Sequence, residues 1–422
     1  CSQSRGLGDV YKRQTELFEK NGTSGTWYAH ASVGLLHVRP IVNLKEEAGA
    51  RQMRAIAEGA FEMVAEYGGS HSGEHGDGFV RSEFTEKMVG PQLARAYEEV
   101  KDTFDPSGLF NPGTVVRPPA IDDRDLFRFK PGYAEVPLET ALDWSEWGGF
   151  LGAAEMCNNN GTCRKMAPDV MCPSFRVTQD EQHVTRGRAN SLRLALSGQL
   201  GPDAVSSEEM RETLDLCVGC KGCRRECPTG VDMAKMKIEV LHHYHAKNGW
   251  SLKDRLIARL PKYARWGALF APLLNLHGLL PGTGWLGQQL AGFHRERSLP
   301  RWSGNPFRTV EAGVWPIGHD GKDVVLFNDT FNSAFEPEIP RASLKVLRAA
   351  GYRVHAIEAE GRPLCCGRTY LSVGMVDQAR AEAKRTVAAL KPYVDAGVPV
   401  VGLEPACLCL LYTSDAADER NS

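Results

Sequence analysis

The 422 residues contain no long apolar run and carry no marked net charge, and their first residues do not resemble a secretory leader. No apolar stretch reaches the roughly 18 residues that a membrane-spanning helix requires. Lys and Arg number 50 against 52 for Asp and Glu, and the net charge of −2 gives no basic surface for nucleic acid. The first residues do not follow the charged, apolar and small-residue order of a signal peptide. These absences predict a cytoplasmic protein with no nucleic-acid partner and no transmembrane segment, and leave open a peripheral position at the inner membrane.

Cysteine is plentiful by contrast, with 12 residues in a chain that is 42% apolar and 24% charged. That composition is typical of a soluble globular protein rather than a disordered one. At roughly 150 residues per domain, the length predicts about three domains. In a reducing compartment, cysteines serve more often as metal ligands than as disulfides, so we expect metal sites.

The two ends of the chain differ from the rest. Residues 1–14 show no periodicity that leads into a core, and residues 409–422 interrupt a strand-like run. Both segments resemble translated sequencing-adapter text, so we interpret them as non-native and the chain as an internal fragment of a longer protein. Natural disordered tails are the alternative interpretation.

Residues 26–44 predict a strand, a turn and a second strand, because they are rich in Val, Ile and aromatic residues. His30 and His37 would face opposite sides of one unbroken strand, and Gly34 can supply the bend that brings them together. A helix that Asn43 can cap follows. A second helix is predicted over about 91–104, with its apolar face inward (Leu93, Ala96, Tyr97 and Val100).

Two imidazoles and one carboxylate form a candidate metal site in this region. His30 and His37 lie in HASVGLLH, and Glu74 lies in the glycine-rich loop SGEHGDG. Such a set suits Zn, Mn or Fe and leaves positions open for a substrate. The next residue, His75, is a candidate base for a substrate hydroxyl near neutral pH. The alternative is that these histidines are half-buried and bonded to backbone carbonyls.

The spacing C-x2-C-x2-C-x3-C-P, which is typical of bacterial iron–sulfur proteins, occurs once in the chain. Its cysteines are Cys217, Cys220, Cys223 and Cys227. Three cysteines at this spacing enclose one side of a cubane, and the fourth ligates a neighbouring cluster. A structural zinc site is the alternative.

An incomplete cysteine motif precedes this one, and Asn160 stands where the pattern requires its second cysteine. By the crossed rule, the expected ligand sets are Cys172 with Cys217, Cys220 and Cys223, and Cys227 with Cys157 and Cys163. The second set lacks one thiolate, and an amide oxygen is a poor substitute for it. We therefore expect the second cluster to be weak, three-iron or missing.

From Asp323 onward the pattern alternates between strand and helix, which predicts a parallel, right-handed α/β unit. Because ligands gather at the carboxyl ends of strands in open sheets, we expect Cys365, Cys366 and Cys407 to meet there. CCG followed by a strand ending in EPAC resembles the cysteine-rich domain of heterodisulfide-reductase and glycolate-oxidase iron–sulfur subunits. That resemblance implies a cluster or an electron-transfer role, and two buried cysteines at a strand end are the alternative.

Three segments carry a wider resemblance: HASVGLLHVRP, GGSHSGEHGDG and DPSGLFNPG. Together they resemble the C-terminal part of FAD-linked oxidases of the vanillyl-alcohol-oxidase superfamily. Within that superfamily they most resemble bacterial D-2-hydroxyacid dehydrogenases of the D-2-hydroxyglutarate type, fused to an iron–sulfur module. The site residues that this resemblance implies are His30, His37 and Glu74 for the metal, His75 for the base and Asn111 for FAD. Relatives often have H-x-N where this chain has His37, Val38 and Arg39, so the chain departs from the family pattern here, and Arg39, with Arg81, is our own candidate for the substrate carboxylate.

The resemblance implies a flavin-dependent dehydrogenase that oxidises a D-2-hydroxy acid, D-2-hydroxyglutarate or D-lactate, to the 2-oxo acid. The implied cofactors are FAD, one or two iron–sulfur clusters and a divalent metal, with a quinone or a carrier protein as electron acceptor. The alternative is an iron–sulfur electron-transfer subunit of a glycolate-oxidase or heterodisulfide-reductase-like complex. The FAD-binding N-terminal domain is not among these residues, so we expect the fragment alone to be inactive.

The predicted fold is multidomain, α+β and α/β. Its parts are the C-terminal part of the vanillyl-alcohol-oxidase-type domain (15–118), a linker (119–150), a helical 4Fe-4S ferredoxin-like domain (151–245), a helical connector (246–318) and a truncated, Rossmann-like cysteine-rich domain (319–408). Residues 1–14 and 409–422 stand outside these parts.

Overall fold

The computed structural model describes residues 2–73, 75–166, 170–277, 279–280, 282–318 and 322–413. Two compact units are present, Cys1–Ala134 and Glu135–Ser422. Their boundary falls inside the predicted linker 119–150, and each half of that segment packs within its own unit. Ile121 belongs to the core of the first unit, and Trp144, which is 3% exposed, to the core of the second. The segment is therefore part of both units rather than a free linker.

Within the described residues, the first unit contains a long α-helix, a β-hairpin and four further α-helices. In chain order these are α1 (Ser2–Lys20), β1 (Gly25–His30), β2 (Leu35–Pro40), α2 (Glu47–Glu66), α3 (Gly78–Arg81), α4 (Thr85–Val89) and α5 (Pro91–Phe104). The antiparallel pairing of β1 with β2 confirms the predicted strand, turn and strand. Gly34 has a φ of 72° at the turn, in the left-handed region that glycine adopts without strain.

One face of the hairpin packs on α1. The Trp27 ring stacks on Phe18 at 5.4 Å and meets Tyr11 edge-on at 5.0 Å. Arg13 forms an ion pair with Glu66 of α2 at 2.7 Å. Tyr11 and Arg13 belong to the first 14 residues, which were expected not to lead into a core. That expectation is not met, because these side chains lie on the faces of α1 that cover the hairpin and α2; the origin of the segment stays a prediction.

Two details of the helices differ from the predictions. The N-cap of α2 is Glu46 rather than Asn43, whose side chain instead donates to the Glu46 carboxylate at 2.8 Å. Helix α5 has the predicted bounds, but none of its residues is buried. Leu93 and Val100 on its predicted inner face are more than half exposed. That inward orientation is wrong for this chain, because α5 contacts chiefly the short helix α4.

The second unit begins with helices and continues with a small parallel sheet. Its helices before the sheet are α6 (Phe150–Glu155), α7 (Pro173–Thr178), α8 (Thr185–Leu196), α9 (Glu208–Asp215), α10 (Gly222–Glu226), α11 (Met233–Asn248), α12 (Leu252–Ala258), α13 (Leu260–Leu269), α14 (Ala271–Leu274) and α15 (Thr283–Ala291). Among the residues described, no helix is both long and apolar enough to cross a membrane.

The α/β part follows the predicted alternation. Its elements are β3 (Asp323–Phe327), α16 (Thr330–Ala334), α17 (Glu338–Ala349), β4 (Arg353–Ala356), β5 (Glu358–Ala359), β6 (Arg362–Pro363), α18 (Arg368–Leu371), α19 (Val376–Asp395), β7 (Val400–Gly402) and α20 (Pro405–Thr413). Strand β3 lies between β4 and β7 and is parallel to both, which confirms the predicted parallel α/β unit. The strands β5 and β6 form a separate antiparallel pair.

The helical part and the α/β part pack directly on each other. An added Cβ at Gly374 would lie 2.5 Å from the backbone nitrogen of His242 on α11. Trp250 Nε1, just beyond α11, donates to the carbonyl oxygen of Val373 at 3.0 Å. The structure thus unites in one compact unit what the sequence divides into a ferredoxin-like domain, a connector and a cysteine-rich domain.

Candidate functional site

The open face of the β-hairpin carries the first group of predicted site residues. Tyr28 is paired with His37 and His30 with Leu35, so the two histidines lie diagonally across the strands on one face. Their ring centroids are 5.0 Å apart. The reversal of the chain at the turn, rather than a bend within one strand, brings them together.

The glycine-rich loop 69–77 brings a third imidazole to this face. The His75 ring centroid is 5.9 Å from that of His37. Glycine at position 73 permits the loop to approach β2, since an added Cβ there would lie 2.2 Å from Leu35 Cδ1. Glu74, the predicted carboxylate ligand, lies outside the described residues. Within the described residues, no three or more His, Cys, Asp or Glu side chains form a single-ion site, so the metal assignment stays a prediction.

His71, which lies in the segment GGSHSGEHGDG but was assigned no role from the sequence, anchors the same loop. Its ring packs edge-on against Phe61 at 5.5 Å and Phe84 at 5.9 Å, in the core of the first unit. Its Nε2 lies 3.1 Å from the carbonyl oxygen of Arg81. The sequence signals for this role were its place in that segment and its position four residues before His75. Because His71 is held in the core, it fixes one end of the loop that carries His75.

The other predicted residues of this unit lie on or beside the hairpin and its loops. Arg39 shares the face of His37, and its guanidinium lies 5.2 Å from the centre of the Tyr28 ring. Arg81 ends α3. Asn111 is exposed and has a positive φ of 44°. Their assigned contacts with substrate and FAD stay predictions.

Cysteines of the two iron–sulfur motifs converge in the second unit. Burial, together with the nearby charges of Asp232, Cys217 and Cys172, raises the pKa of the Cys223 thiol to about 12. Burial raises the pKa of Cys172, and the nearby charge of Cys217 contributes to that rise. The exposed Cys220 lies in the loop between Cys217 and Cys223. The structure therefore gathers Cys172, Cys217 and Cys223, which belong to one expected ligand set.

Hydrogen-bond donors surround the sulfurs of two motif cysteines, Cys172 and Cys227. The Thr185 amide donates to Cys172 Sγ at 3.1 Å, and the Thr185 hydroxyl lies 2.9 Å from it. Burial raises the pKa of Cys227, but the Thr229 hydroxyl and the amides of residues 229–231 lower it overall. Such donors stabilise the thiolate, which is the form that binds metal.

Of the second expected ligand set (Cys157, Cys163 and Cys227), the structure brings Cys157 and Cys163 close together. Burial, together with the nearby charges of Cys172 and Cys157, raises the pKa of Cys163 to about 11, so these sulfurs are neighbours. Asn160 is exposed, and its side chain forms hydrogen bonds within its own loop. The crossing of Cys227 to this site stays a prediction.

The donor chemistry fits iron–sulfur clusters better than a single metal ion. The thiolates of a cubane bind different iron atoms, so their sulfurs lie farther apart than the ligands of one ion. This agrees with the absence of a single-ion site among the described residues. The cysteines described in this unit are all free thiols. The alternative of a structural zinc site, which requires four ligands around one ion, therefore gains no support from them.

The α/β part brings its three cysteines together. The sulfur of Cys366 lies 3.2 Å from that of Cys407, and Cys365 is buried beside them. A hydrogen bond with Cys366 and burial raise the pKa of Cys365 well above its usual range. Cys366 and Cys407 share a core cluster with Phe327, the last residue of β3. The cysteines thus meet at the carboxyl end of the sheet as expected, and their role stays a prediction.

Two known protein families match this chain, one over the histidine site and the other over the cysteines of the iron–sulfur motifs. Residues 3–115 match the family model of the C-terminal domain of FAD linked oxidases. Residues 153–231 match the model of the 4Fe-4S dicluster domain. The first match includes the hairpin and the histidine loop, and the second includes every cysteine of the two iron–sulfur motifs. These domains indicate FAD and iron–sulfur clusters as the cofactors.

Curated relatives extend this likeness along the chain. D-2-hydroxyglutarate dehydrogenase of Pseudomonas putida is 28% identical over 457 residues, covering 97% of this chain and 44% of that protein. The Escherichia coli protein of the same name is 24% identical over 479 residues, covering 98% of this chain and 44% of its own length. The probable glycolate oxidase iron-sulfur subunit of Bacillus subtilis is 26% identical over 270 residues, which cover 58% of this chain and 56% of that protein.

The chain spans less than half the length of the two dehydrogenases that it matches. No solved structure matches it. The chain therefore combines a C-terminal domain of the FAD-linked-oxidase type with a 4Fe-4S dicluster domain, and along nearly its whole length it is similar to D-2-hydroxyglutarate dehydrogenases.

Proposed function

We propose that this chain is part of a flavin-dependent dehydrogenase that binds a D-2-hydroxy acid and conducts its electrons to an acceptor. The observation that carries the proposal is the convergence of His30, His37 and His75 on the open hairpin face. Arg39 adds a cation to the same face. A hydroxy acid needs both groups, because its hydroxyl must lose a proton while its carboxylate needs a positive partner. The names of the relatives favour D-2-hydroxyglutarate, with D-lactate as the alternative.

Each residue of this face has one role in the proposal. His75 accepts the proton of the substrate hydroxyl. Arg39 binds the substrate carboxylate, with Arg81 as the alternative. The metal ligands are His30, His37 and Glu74, and a divalent Zn, Mn or Fe ion held there would polarise the hydroxyl. Asn111 would lie beside the flavin, and FAD bound there would supply the acceptor for the hydride of the α-carbon.

The cysteines of the second unit provide the route for the electrons. One 4Fe-4S cluster would be held by Cys172, Cys217, Cys220 and Cys223, and a second, incomplete one by Cys157, Cys163 and Cys227. In this proposal Cys365, Cys366 and Cys407 either hold a further cluster or pass electrons to the acceptor, a quinone or a carrier protein. The proposed location is the cytoplasm, including its membrane surface.

Metal content and turnover of the full-length protein test this proposal together. His37→Ala should release the divalent metal and lower turnover with D-2-hydroxyglutarate, while the flavin absorbance stays unchanged. His294→Ala removes an exposed histidine of the second unit and should change neither quantity. Full turnover in a His37→Ala protein that has lost its metal would contradict the role of the ion.

The meeting of Cys366 with Cys407 favours a second candidate function. The chain would then act as an iron–sulfur electron-transfer subunit, as the name of the Bacillus subtilis relative suggests. Anaerobic addition of D-2-hydroxyglutarate or D-lactate to the full-length protein distinguishes the two functions. A dehydrogenase should lose its flavin absorbance band at once, whereas an electron-transfer subunit should respond only to a separate reduced partner.

A further inference from the structure

Two cations lie against the first cluster site, which is defined as Cys172, Cys217, Cys220 and Cys223. Arg188 on α8 is 2% exposed and interacts electrostatically with Cys172. Lys237 on α11 is half-buried, and its Nζ donates to the carbonyl oxygen of Cys217 at 2.7 Å. Two different helices therefore direct positive charge at the same site.

The hydrogen bonds of both cations end on uncharged oxygens. Arg188 donates to the Thr213 carbonyl at 3.0 Å and to Ser174 Oγ at 3.1 Å. Besides Cys217, Lys237 donates to the carbonyl of Asp215 at 3.1 Å. In the part of the chain that the structure describes, neither side chain forms an ion pair with a carboxylate.

The acidic groups nearby already face other cations. The exposed carboxylate of Asp215 lies 3.7 Å from Arg211. The buried carboxylate of Asp232 lies 3.6 Å from Arg224. Burying a cation without an opposite charge is strongly unfavourable, and neutral thiols do not offset it. The arrangement is therefore suited to an anionic occupant of the first cluster site.

The second cluster site, formed by Cys157, Cys163 and Cys227, has a different charge environment. Arg186 lies near Cys157 and Cys163, but it is paired with Glu181 at 2.5 Å. A carboxylate thus forms an ion pair with that cation. Among the described residues, no carboxylate forms an ion pair with Arg188 or Lys237, although the charge of Asp215 also acts on Lys237.

We propose that Arg188 and Lys237 are the counter-charges of the iron–sulfur cluster in the first cluster site and raise its reduction potential. The inference rests on the cluster ligands of the proposed function. Reduction adds one negative charge to a cluster, and fixed positive charges in a poorly polarisable interior stabilise that charge. The first cluster therefore accepts an electron more readily than it would without these two charges.

Full-length protein purified without oxygen provides the test. In Lys237→Met the side chain keeps its length but loses its charge. A redox titration followed by EPR measures the midpoint potential of the cluster. In this variant the equilibrium constant for reduction should drop at least tenfold, which lowers the midpoint potential by about 59 mV for one electron. Lys237→Arg should keep the wild-type midpoint. Lys247→Met, which removes an exposed charge from the same helix, should keep it as well.

The outcomes separate this inference from the proposed function. Wild-type protein without an EPR-active cluster would overturn the ligand assignment, and the inference with it. A fully loaded Lys237→Met protein with an unchanged midpoint would overturn the inference alone. If Lys237→Met loses its iron, the iron content of Lys237→Arg distinguishes the outcomes. Iron retained in Lys237→Arg supports the role of the positive charge, and an equal loss of iron in both variants overturns the inference.

Discussion

At the scale of single residues, the proposed chemistry depends most on His75. Its ring lies 5.9 Å from that of His37, on a loop that His71 holds to the core. Because a base contributes typically 10²–10⁴-fold to a rate, His75→Ala should lower kcat of the full-length enzyme by about that factor. His75→Gln keeps hydrogen bonding without basicity and should be equally slow. Steady-state kinetics with flavin absorbance as the loading control would measure this, and near-normal turnover would remove His75 as the base.

Asn160 is the second residue whose replacement has a definite expected result. It occupies the position of a missing cysteine, and its side chain is exposed and bonded within its own loop. Anaerobically purified full-length protein should therefore hold less iron than two complete cubanes, and Asn160→Cys should increase it. Asn158→Cys, two residues earlier, is the control and should leave the iron content unchanged. Iron for two complete cubanes in the wild type would show that the second site is complete without residue 160.

At the scale of elements, a charged residue secures the start of the central strand β3. Asp323 is 6% exposed and lies beside its register partner Arg353 on β4. Arg353 Nε donates to one carboxylate oxygen at 3.0 Å, and His355 Nε2 lies 3.0 Å from the same oxygen. The amide of Gly318 donates to the other oxygen at 3.0 Å. This buried carboxylate therefore fastens β3 to β4 at their amino ends.

That arrangement predicts a defined sensitivity to acid. The hydrogen bond from Arg353 lowers the pKa of Asp323 from 3.8 to about 2, although burial opposes it. A lowered pKa in the folded state means that the stabilisation is complete above the unfolded value and is lost as the pH falls through the folded value. Asp323→Asn should lower the unfolding free energy at pH 7 but lose less further stability on acidification toward about pH 2. Urea unfolding across this range measures the difference, and parallel pH profiles for both proteins would contradict it.

At the scale of the whole molecule, the iron–sulfur part and the cysteine-rich part share one compact unit. Gly374 allows this, because it has a φ of 74° and its Cα faces the backbone of α11. Gly397 has nearly the same φ, 73°, but nothing lies within 4 Å of an added Cβ. The two glycines therefore form a matched pair for separating backbone strain from close packing.

The matched pair yields a whole-molecule prediction. Gly397→Ala should cost about 1–2 kcal/mol of unfolding free energy from backbone strain alone. Gly374→Ala should cost a further 1–3 kcal/mol, roughly, because its methyl group overlaps α11. Denaturant unfolding followed by tryptophan fluorescence compares the two variants. Equal losses would mean that the helical and α/β parts do not depend on this contact.

Much of this organisation could be predicted from short stretches of sequence. The spacing of Cys217, Cys220 and Cys223 by itself limits which thiolates can surround one cubane. Alternating apolar residues and turn glycines predicted the hairpin and the parallel strands, because these patterns depend only on local backbone geometry. The comparisons with known families confirm the FAD-linked-oxidase and iron–sulfur domains that these motifs indicated.

Other features depend on chain segments that are distant in sequence, and only the tertiary structure decided them. The diagonal placement of His30 and His37 depends on strand register, and the exposed face of α5 depends on which element packs against it. Arg188 and Lys237 belong to no motif, and each reaches the cysteines from a separate helix. The sequence by itself determined which residues can bind iron, because ligand spacing is local. Folding decided which charges surround that iron, because burial and charge balance arise only when distant helices pack together.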